Sequence, residues 1–315
     1  MLEVRGLQVR YGKTVAVRGA DVRVGRGQVV GVVGESGSGK TSLGFATVGL
    51  APISAGSVWF DGEDITAATG RRRRELSRRM QVVFQDPYGS MNPARTIGDT
   101  LGEGLRYGAA MPARLVRDQV AEVLAEVGLP ASAAARHPAQ FSSGQRQRIA
   151  IARAIVRDPD FVVCDEAVSA LDLSVQAQVL NLLSRLRASR QLSFLFISHD
   201  LSVVRYLSDE IVVMYRGQVV ERGPAAAMSG TAAHPYTRAL VAAVPIPDPA
   251  RQAAARLSRP QAAKPAANGN GCVFAARCPY ARQRCLDERP ILTEHAIGHH
   301  VACHRHREIP NGESK

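Results

Sequence analysis

The stretch Gly34-Glu35-Ser36-Gly37-Ser38-Gly39-Lys40-Thr41 sets two glycines four residues apart ahead of Lys and Thr, a spacing suited to gripping a nucleoside triphosphate. Glycine lets a backbone close around phosphate oxygens at φ values other residues resist. The N–H groups of such a loop then form an anion nest at the positive end of a helix. Gly34, Ser36, Gly37, Ser38 and Gly39 are expected to supply the nest and Lys40 to reach the β- and γ-phosphates. Thr41 is expected to offer its hydroxyl to a magnesium ion. The plain alternative is a Gly/Ser loop with an exposed lysine.

A second group of residues could perform hydrolysis. Asp165-Glu166 directly follow the apolar run Phe161-Val162-Val163-Cys164, which is unusual for an ordinary acidic turn. Asp165 is expected to hold magnesium, directly or through water, and Glu166 to polarise the attacking water. His199 closes another apolar run, Phe194 to Ser198, where its imidazole could contact the γ-phosphate. Gln85 stands at the end of Gln81-Val82-Val83-Phe84 and could reach magnesium or the attacking water.

These groups need rigid elements behind them. Gln28 to Val33 is a short apolar run that reads as a strand, and Ser42-Leu43-Gly44-Phe45 as a helix start, so strand, loop and helix fall in the required order. Leu2-Glu3-Val4 and Val22-Arg23-Val24 alternate, and Ser57 to Phe60 precedes an Asp61-Gly62 turn, which predicts a small antiparallel sheet. Val116, Val120, Val123 and Val127 recur at helical spacing before Gly128, and a further helix follows Ser142 and stops by Pro159. A third helix is expected to be capped by Ser174, with Val175, Val179, Leu182, Leu183 and Leu186 inward. Strands Phe161–Cys164 and Ser193–Ile197 are apolar throughout, as parallel strands buried on both faces tend to be. Glu210 to Tyr215 and Gln218 to Glu221 form a hairpin about Arg216-Gly217. Alternating strands and helices around this loop predict a doubly wound α/β domain. Pro245 to Gly271, rich in Ala, Pro, Gln, Gly and Asn, reads as a linker.

The composition is that of a soluble globular protein: 45% hydrophobic residues, no run of ~18 apolar residues, and a start lacking the apolar core of a signal peptide. A cytosolic location is expected. The net charge of +12 favours polyanions, either nucleic acid or an anionic membrane surface, without choosing between them. The arginines at 71–74, 78 and 79 read as a solvated helix face. Cys164 reads as a buried strand residue. Cys272, Cys278, Cys285 and Cys303, separated by five, six and seventeen residues, could hold zinc or an iron–sulfur cluster, or remain free thiols. His295, His299, His300, His304 and His306 keep a mixed Cys/His zinc site open.

In order along the chain, these residues resemble the motifs of the ATP-binding cassette superfamily. Gly34 to Thr41 is similar to its P-loop, Gln85 to its Q-loop and Phe141-Ser142-Ser143-Gly144-Gln145 to its signature. Phe161 to Glu166 is similar to its Walker B strand, Ser169-Ala170-Leu171-Asp172 to its D-loop and His199 to its switch histidine. The resemblance implies a P-loop NTPase cassette with a RecA-like core, an antiparallel β subdomain and a helical subdomain at about 87–157. Tyr11 would stack on adenine. Cassettes pair head to tail, so Ser142, Gly144, Gln145 and Asp172 would complete a partner's ATP site; the helix opened by Ser142 has its positive end available for a γ-phosphate.

A narrower resemblance covers nearly the whole chain. Gln85-Asp86-Pro87-Tyr88-Gly89-Ser90-Met91-Asn92-Pro93, His234-Pro235-Tyr236-Thr237 and Gly271-Cys272-Val273-Phe274 with Arg277-Cys278-Pro279 are similar to the ATPase subunits of oligopeptide and dipeptide importers. It implies a cassette over 1–232 and a Cys-rich extension over 233–315. It also implies two membrane permeases, a second and often non-identical ATPase, an extracytoplasmic binding protein, and a peripheral place on the cytoplasmic face. Direct nucleic-acid binding is not expected. Members with this tail hold a [4Fe-4S] cluster, which shifts the expectation for the cysteines from zinc to iron–sulfur. Similar ATPases serve nickel, glutathione or other small solutes. A soluble cassette of DNA repair or translation is the rival class, and a cassette that binds ATP without hydrolysing it is disfavoured by Glu166 and His199. Three positions depart from the pattern: Ser143 where Gly is usual, Ala167 where Pro is usual, and Gln140 where an acid is usual. The hydroxymethyl of Ser143 is expected to crowd the approach of phosphate at the site this signature completes.

Overall fold

The computed structural model describes residues 1–109, 111–243 and 270–309, with backbone alone at 107–109 and 229. The linker expected over 245–271 therefore lies almost wholly outside the described residues.

The organising element is an eight-stranded sheet ordered β11-β12-β10-β9-β3-β8-β7-β6. Its centre is parallel: β3 (Val29–Val33) lies between β8 (Ser193–Ser198) and β9 (Glu210–Tyr215), followed outward by β7 (Phe161–Asp165) and β6 (Met80–Val83). The continuous apolar runs expected of two-sided burial are so buried, every residue of β3, β7 and β8 being inside. Period-2 geometry divides each run between two cores. Val29 and Val33, Phe194 and Phe196, and Val162 and Cys164 face one; Val30 and Val32, Leu195 and Ile197, and Phe161 and Val163 face the other. Cys164 is thus core, and burial drives its thiol far above the ordinary value. Helix α7 (Leu201–Leu207) crosses β3 where a Cβ on Gly31 would lie 2.1 Å from Val204 Cγ1, so only glycine permits the approach.

The second core is closed by a four-stranded antiparallel sheet, β2-β1-β4-β5, built from β1 (Leu2–Tyr11), β2 (Thr14–Val24), β4 (Ile53–Phe60) and β5 (Glu63–Asp64), with α1 (Lys40–Thr47) between the sheets. Helix α2 (Gly70–Arg79) carries the arginine run; Arg71 and Arg72 pair with Glu75, and Arg72 also with Glu63, as a charged outer face. Helices α3 (Ile97–Ala109), α4 (Ala113–Glu126) and α5 (Ser143–Ile155) form the helical insert, and α4 buries Val116, Val120 and Val123 as the spacing predicted. Helix α6 (Leu173–Arg190) differs at its start. Its cap is Asp172, whose Oδ1 accepts from Val175 N at 3.0 Å, while Ser174 lies inside the first turn and donates its hydroxyl to the same carboxylate at 2.7 Å. Asp172 caps the helix two residues earlier than the expected serine would.

After β10 (Gln218–Pro224) come α8 (Ala227–Gly230), α9 (Pro235–Ala243), α10 (Gln283–Asp287), β11 (Thr293–Ala296) and β12 (His299–Val301). The extension adds strands to the core sheet: β12 pairs antiparallel with β10, placing Val301 opposite Glu221. Glu221 is fully buried and accepts from Ala233 N at 2.6 Å, His234 N at 3.0 Å and His299 Nε2 at 2.7 Å. Burial pushes its carboxyl up, but these hydrogen bonds outweigh it and leave the group below the ordinary carboxylate value. Burial holds the neighbouring His234 down at about 4, a neutral imidazole whose Nδ1 accepts from Tyr236 N at 3.0 Å.

Candidate functional site

The residues expected to do chemistry converge at the carboxyl ends of neighbouring parallel strands, where open α/β sheets place ligands. Val33 feeds the loop 34–39, Val83 leads to Gln85, Asp165 ends β7, and Ser198 leads to His199. Beside them lies an open pocket of about 970 Å³, lined by Tyr11, Ser36, Gly37, Gly39, Lys40, Thr41, Gln85, Glu166 and His199, while Asp165 lines the adjoining groove with Thr41 and Gln85. The pocket is ample for a nucleotide.

The loop's conformation depends on its glycines. Gly37 and Gly39 have φ of +75° and +98°, and a Cβ on Gly39 would lie 2.3 Å from Ala16 O. Both demands exclude other residues. Lys40 is buried at the start of α1 and its Nζ donates to Gly34 O at 2.8 Å and Glu35 O at 3.0 Å, so the ammonium is held at the loop before any phosphate arrives. Burial lowers its pKa, opposed by Glu166, Asp165 and Glu35. The side chain of Ser38 is buried and its N–H is taken by Glu35 O at 3.1 Å; of the expected nest residues, neither Ser38 nor Gly34 lines the pocket.

Thr41 Oγ1 donates to Asp165 Oδ1 at 2.8 Å, so two of the three expected magnesium ligands already touch. Burial, then the nearby Glu166 charge, raise the Asp165 pKa against the Thr41 hydrogen bond and Lys40. Glu166 has φ of +46°, a left-handed conformation uncommon outside glycine, held by its N–H donating to Ile197 O at 2.9 Å. This turn aims the carboxylate into the pocket. Oε2 accepts from Gln85 Nε2 at 3.1 Å and lies 3.4 Å from His199 Nδ1. Tyr11 is 46% exposed at the pocket's rim, an aromatic surface free for stacking.

Ser142, Gly144, Gln145 and Asp172 do not line this pocket. Ser142 and Gln145 form a reciprocal cap on α5, Gln145 N donating to Ser142 Oγ at 3.3 Å and Ser142 N to Gln145 Oε1 at 3.1 Å. Gly144 is dictated by packing as well, since a Cβ there would lie 2.5 Å from Val175 Cγ1 on α6. Ser143, in the first turn of α5, is exposed.

Cys272, Cys278, Cys285 and Cys303 line one small cavity with His234 and Phe274 and form no disulfide. Burial, and the presence of one another, push Cys278 and Cys303 up to about 11. Among the described residues no group of three or more His, Cys, Asp or Glu side chains is arranged to hold a metal ion. The histidines join other networks: His295 Nδ1 lies 2.9 Å from His306 Nδ1, His299 bonds Glu221, and His304 bonds Glu288 O at 2.9 Å. Sequence reasoning missed Glu35, Arg18, Arg216 and Leu240 as pocket residues, and no local pattern distinguishes them.

The chain is similar to known proteins over nearly its whole length. Residues 17–169 match the ABC transporter family and residues 220–285 the oligopeptide/dipeptide transporter C-terminal region. The putative peptide import ATP-binding protein of Brucella ovis is 43% identical over 309 residues, 97% of this chain and 98% of its own length. The oligopeptide transport ATP-binding protein OppF of Salmonella typhimurium is 43% identical over 291 residues, 91% of this chain and 87% of its own. A dimeric post-hydrolysis structure of the cassette MJ0796 bound to ADP and Pi matches with a TM-score of 0.65 at 24% identity, over 71% of this chain and 99% of that one, which speaks for the fold. Likeness running through cassette and C-terminal region alike makes this chain a member of the ATP-binding cassette ATPase family, in its oligopeptide/dipeptide transporter branch.

Proposed function

We propose that this chain is the ATP-hydrolysing motor of an importer that carries oligopeptides or dipeptides through partner permeases. Gln85 carries the reading. It lines the nucleotide pocket and also a second groove of about 870 Å³ between the core and the helical insert, lined by Phe45, Leu50, Met80, Phe84, Leu101 and Arg153. That groove is apolar with charged edges, and Leu50 on its rim is 58% exposed. It suits a short helix of a permease's cytoplasmic loop, and Gln85 links such a helix to Glu166. Among the described residues no helix is long and apolar enough to cross a membrane, so the path for cargo belongs to partners.

In this reading the loop amides and Lys40 bind the polyphosphate while Tyr11 stacks on adenine. Thr41, Asp165 and Gln85 would hold magnesium, which when bound would neutralise charge on the β- and γ-phosphate oxygens. Glu166 accepts a proton from the attacking water as its oxygen bonds to the γ-phosphorus and the bond to the bridging oxygen breaks, releasing ADP. His199, beside Glu166, steadies the carboxylate and the γ-phosphate. Ser142, Gly144, Gln145 and Asp172 serve the partner cassette's nucleotide in a head-to-tail dimer, and Ser143 makes that site the weaker one. The cassette unit is 1–232 and the extension 233–315. A second ATPase, a substrate-binding protein outside the membrane and a peripheral cytoplasmic location complete the assembly.

Cys272, Cys278, Cys285 and Cys303 are proposed to carry a [4Fe-4S] cluster. Four thiols around one cavity supply the required donor set. A bound cluster would cross-link four points of the extension. Iron quantitation with a visible spectrum after anaerobic purification is expected to give four irons per chain; a colourless protein with stoichiometric zinc contradicts it.

The motor role is tested by tagging the chain, solubilising native membranes in mild detergent and identifying what copurifies. Two polytopic proteins and a second cassette are expected. Recovery only from the soluble fraction, bound to nucleic acid, overturns the importer reading.

A further inference from the structure

The P-loop is gripped from behind by the C-terminal extension. Glu35, the second residue of the loop, donates its N–H to the Tyr236 hydroxyl of α9 at 2.8 Å, and its carboxylate accepts from Arg277 at 2.8 Å. Arg277 also donates to the Tyr215 hydroxyl at 3.4 Å, and its guanidinium lies 5.7 Å from the ring centres of Tyr215 and Phe274. The three aromatic rings form a packed cluster: Tyr215 is 4.6 Å from Tyr236 and 5.3 Å from Phe274, and Tyr236 is 5.4 Å from Phe274. Leu240, one turn along α9, lines the nucleotide pocket itself.

This contact has an electrostatic consequence. Glu35 is near enough to influence the Lys40 ammonium, and an unpaired carboxylate at that point repels an incoming polyphosphate. Arg277 cancels the charge from outside the cassette motifs. We propose that Arg277 is a positioning residue for the ATP site: it neutralises Glu35 and steadies the loop, so that the C-terminal extension sets the nucleotide affinity of this cassette. The inference rests on Lys40 marking the phosphate site, which is tested separately by its own substitution.

The test is titration of the full-length chain with a fluorescent ATP analogue. Arg277→Ala is expected to weaken binding about three- to tenfold, a modest change because the pair is partly exposed. Adding Glu35→Gln is expected to restore affinity to within about twofold of the native chain, because the repelling charge is gone. The loss is also expected to shrink in high salt. Native affinity in Arg277→Ala overturns the proposal, as does a double variant no tighter than Arg277→Ala, which would mark the loss as structural. Should Arg277→Ala unfold at lower temperature, Arg277→Lys keeps the charge and must bind within about threefold of the native chain; a larger loss there also overturns it.

Discussion

Glu166→Gln is expected to leave ATP bound and to cut turnover at this site by about 10²- to 10⁴-fold. Glutamine keeps the shape of the side chain and an oxygen for the Gln85 amide, now 3.1 Å from Glu166 Oε2, but cannot take a proton from water. The left-handed turn at φ +46° that aims the side chain is set by strand pairing to Ile197, so the replacement occupies the same place. Nucleotide titration and steady-state phosphate release, both on the assembled transporter, separate the two effects. Undiminished release means that another group is the base.

Lys40→Ala is expected to weaken nucleotide binding roughly a hundredfold, from loss of charge-assisted hydrogen bonds worth about 2–3 kcal/mol. The ammonium is pre-positioned by Gly34 O and Glu35 O, so it spends little ordering entropy when phosphate arrives. It is also the one cation among the residues singled out along the loop, close enough to Asp165 and Glu166 to feel their charge. Titration with a fluorescent ATP analogue reads the effect, and native affinity in this variant would place the phosphates elsewhere. Since Lys40 is buried, a circular dichroism melt accompanies the titration to confirm that the fold persists.

The site was legible where chemistry forces local pattern. Glycines at 37 and 39 are required by backbone conformation, and β3, β7 and β8 are apolar because both faces are covered, so strand ends and the groups beyond them could be placed from sequence. What sequence hid depends on partners distant along the chain. Glu35 and Arg277 meet across 242 residues, and neither position carries a spacing signal. The strands β11 and β12 are short and rich in His; β12 pairs with β10 and sets His299 on the buried Glu221, a partner 78 residues away along the chain. At α6 two residues able to cap stand two apart, and the choice of Asp172 over Ser174 follows from where the chain leaves the D-loop. The side chain of Ser38 is inside and its N–H is taken by Glu35 O, a placement that the motif's spacing does not reveal.

The most direct test of the motor reading is peptide uptake into proteoliposomes carrying the assembled transporter, with ATP on the side of this chain and phosphate release followed in parallel. The native complex is expected to accumulate peptide only with ATP and magnesium, and the complex carrying Glu166→Gln to bind ATP while both uptake and phosphate release collapse. ATP-dependent uptake that continues at the native rate in that variant would contradict the account, because the carboxylate held between Gln85 and His199 would then not drive transport.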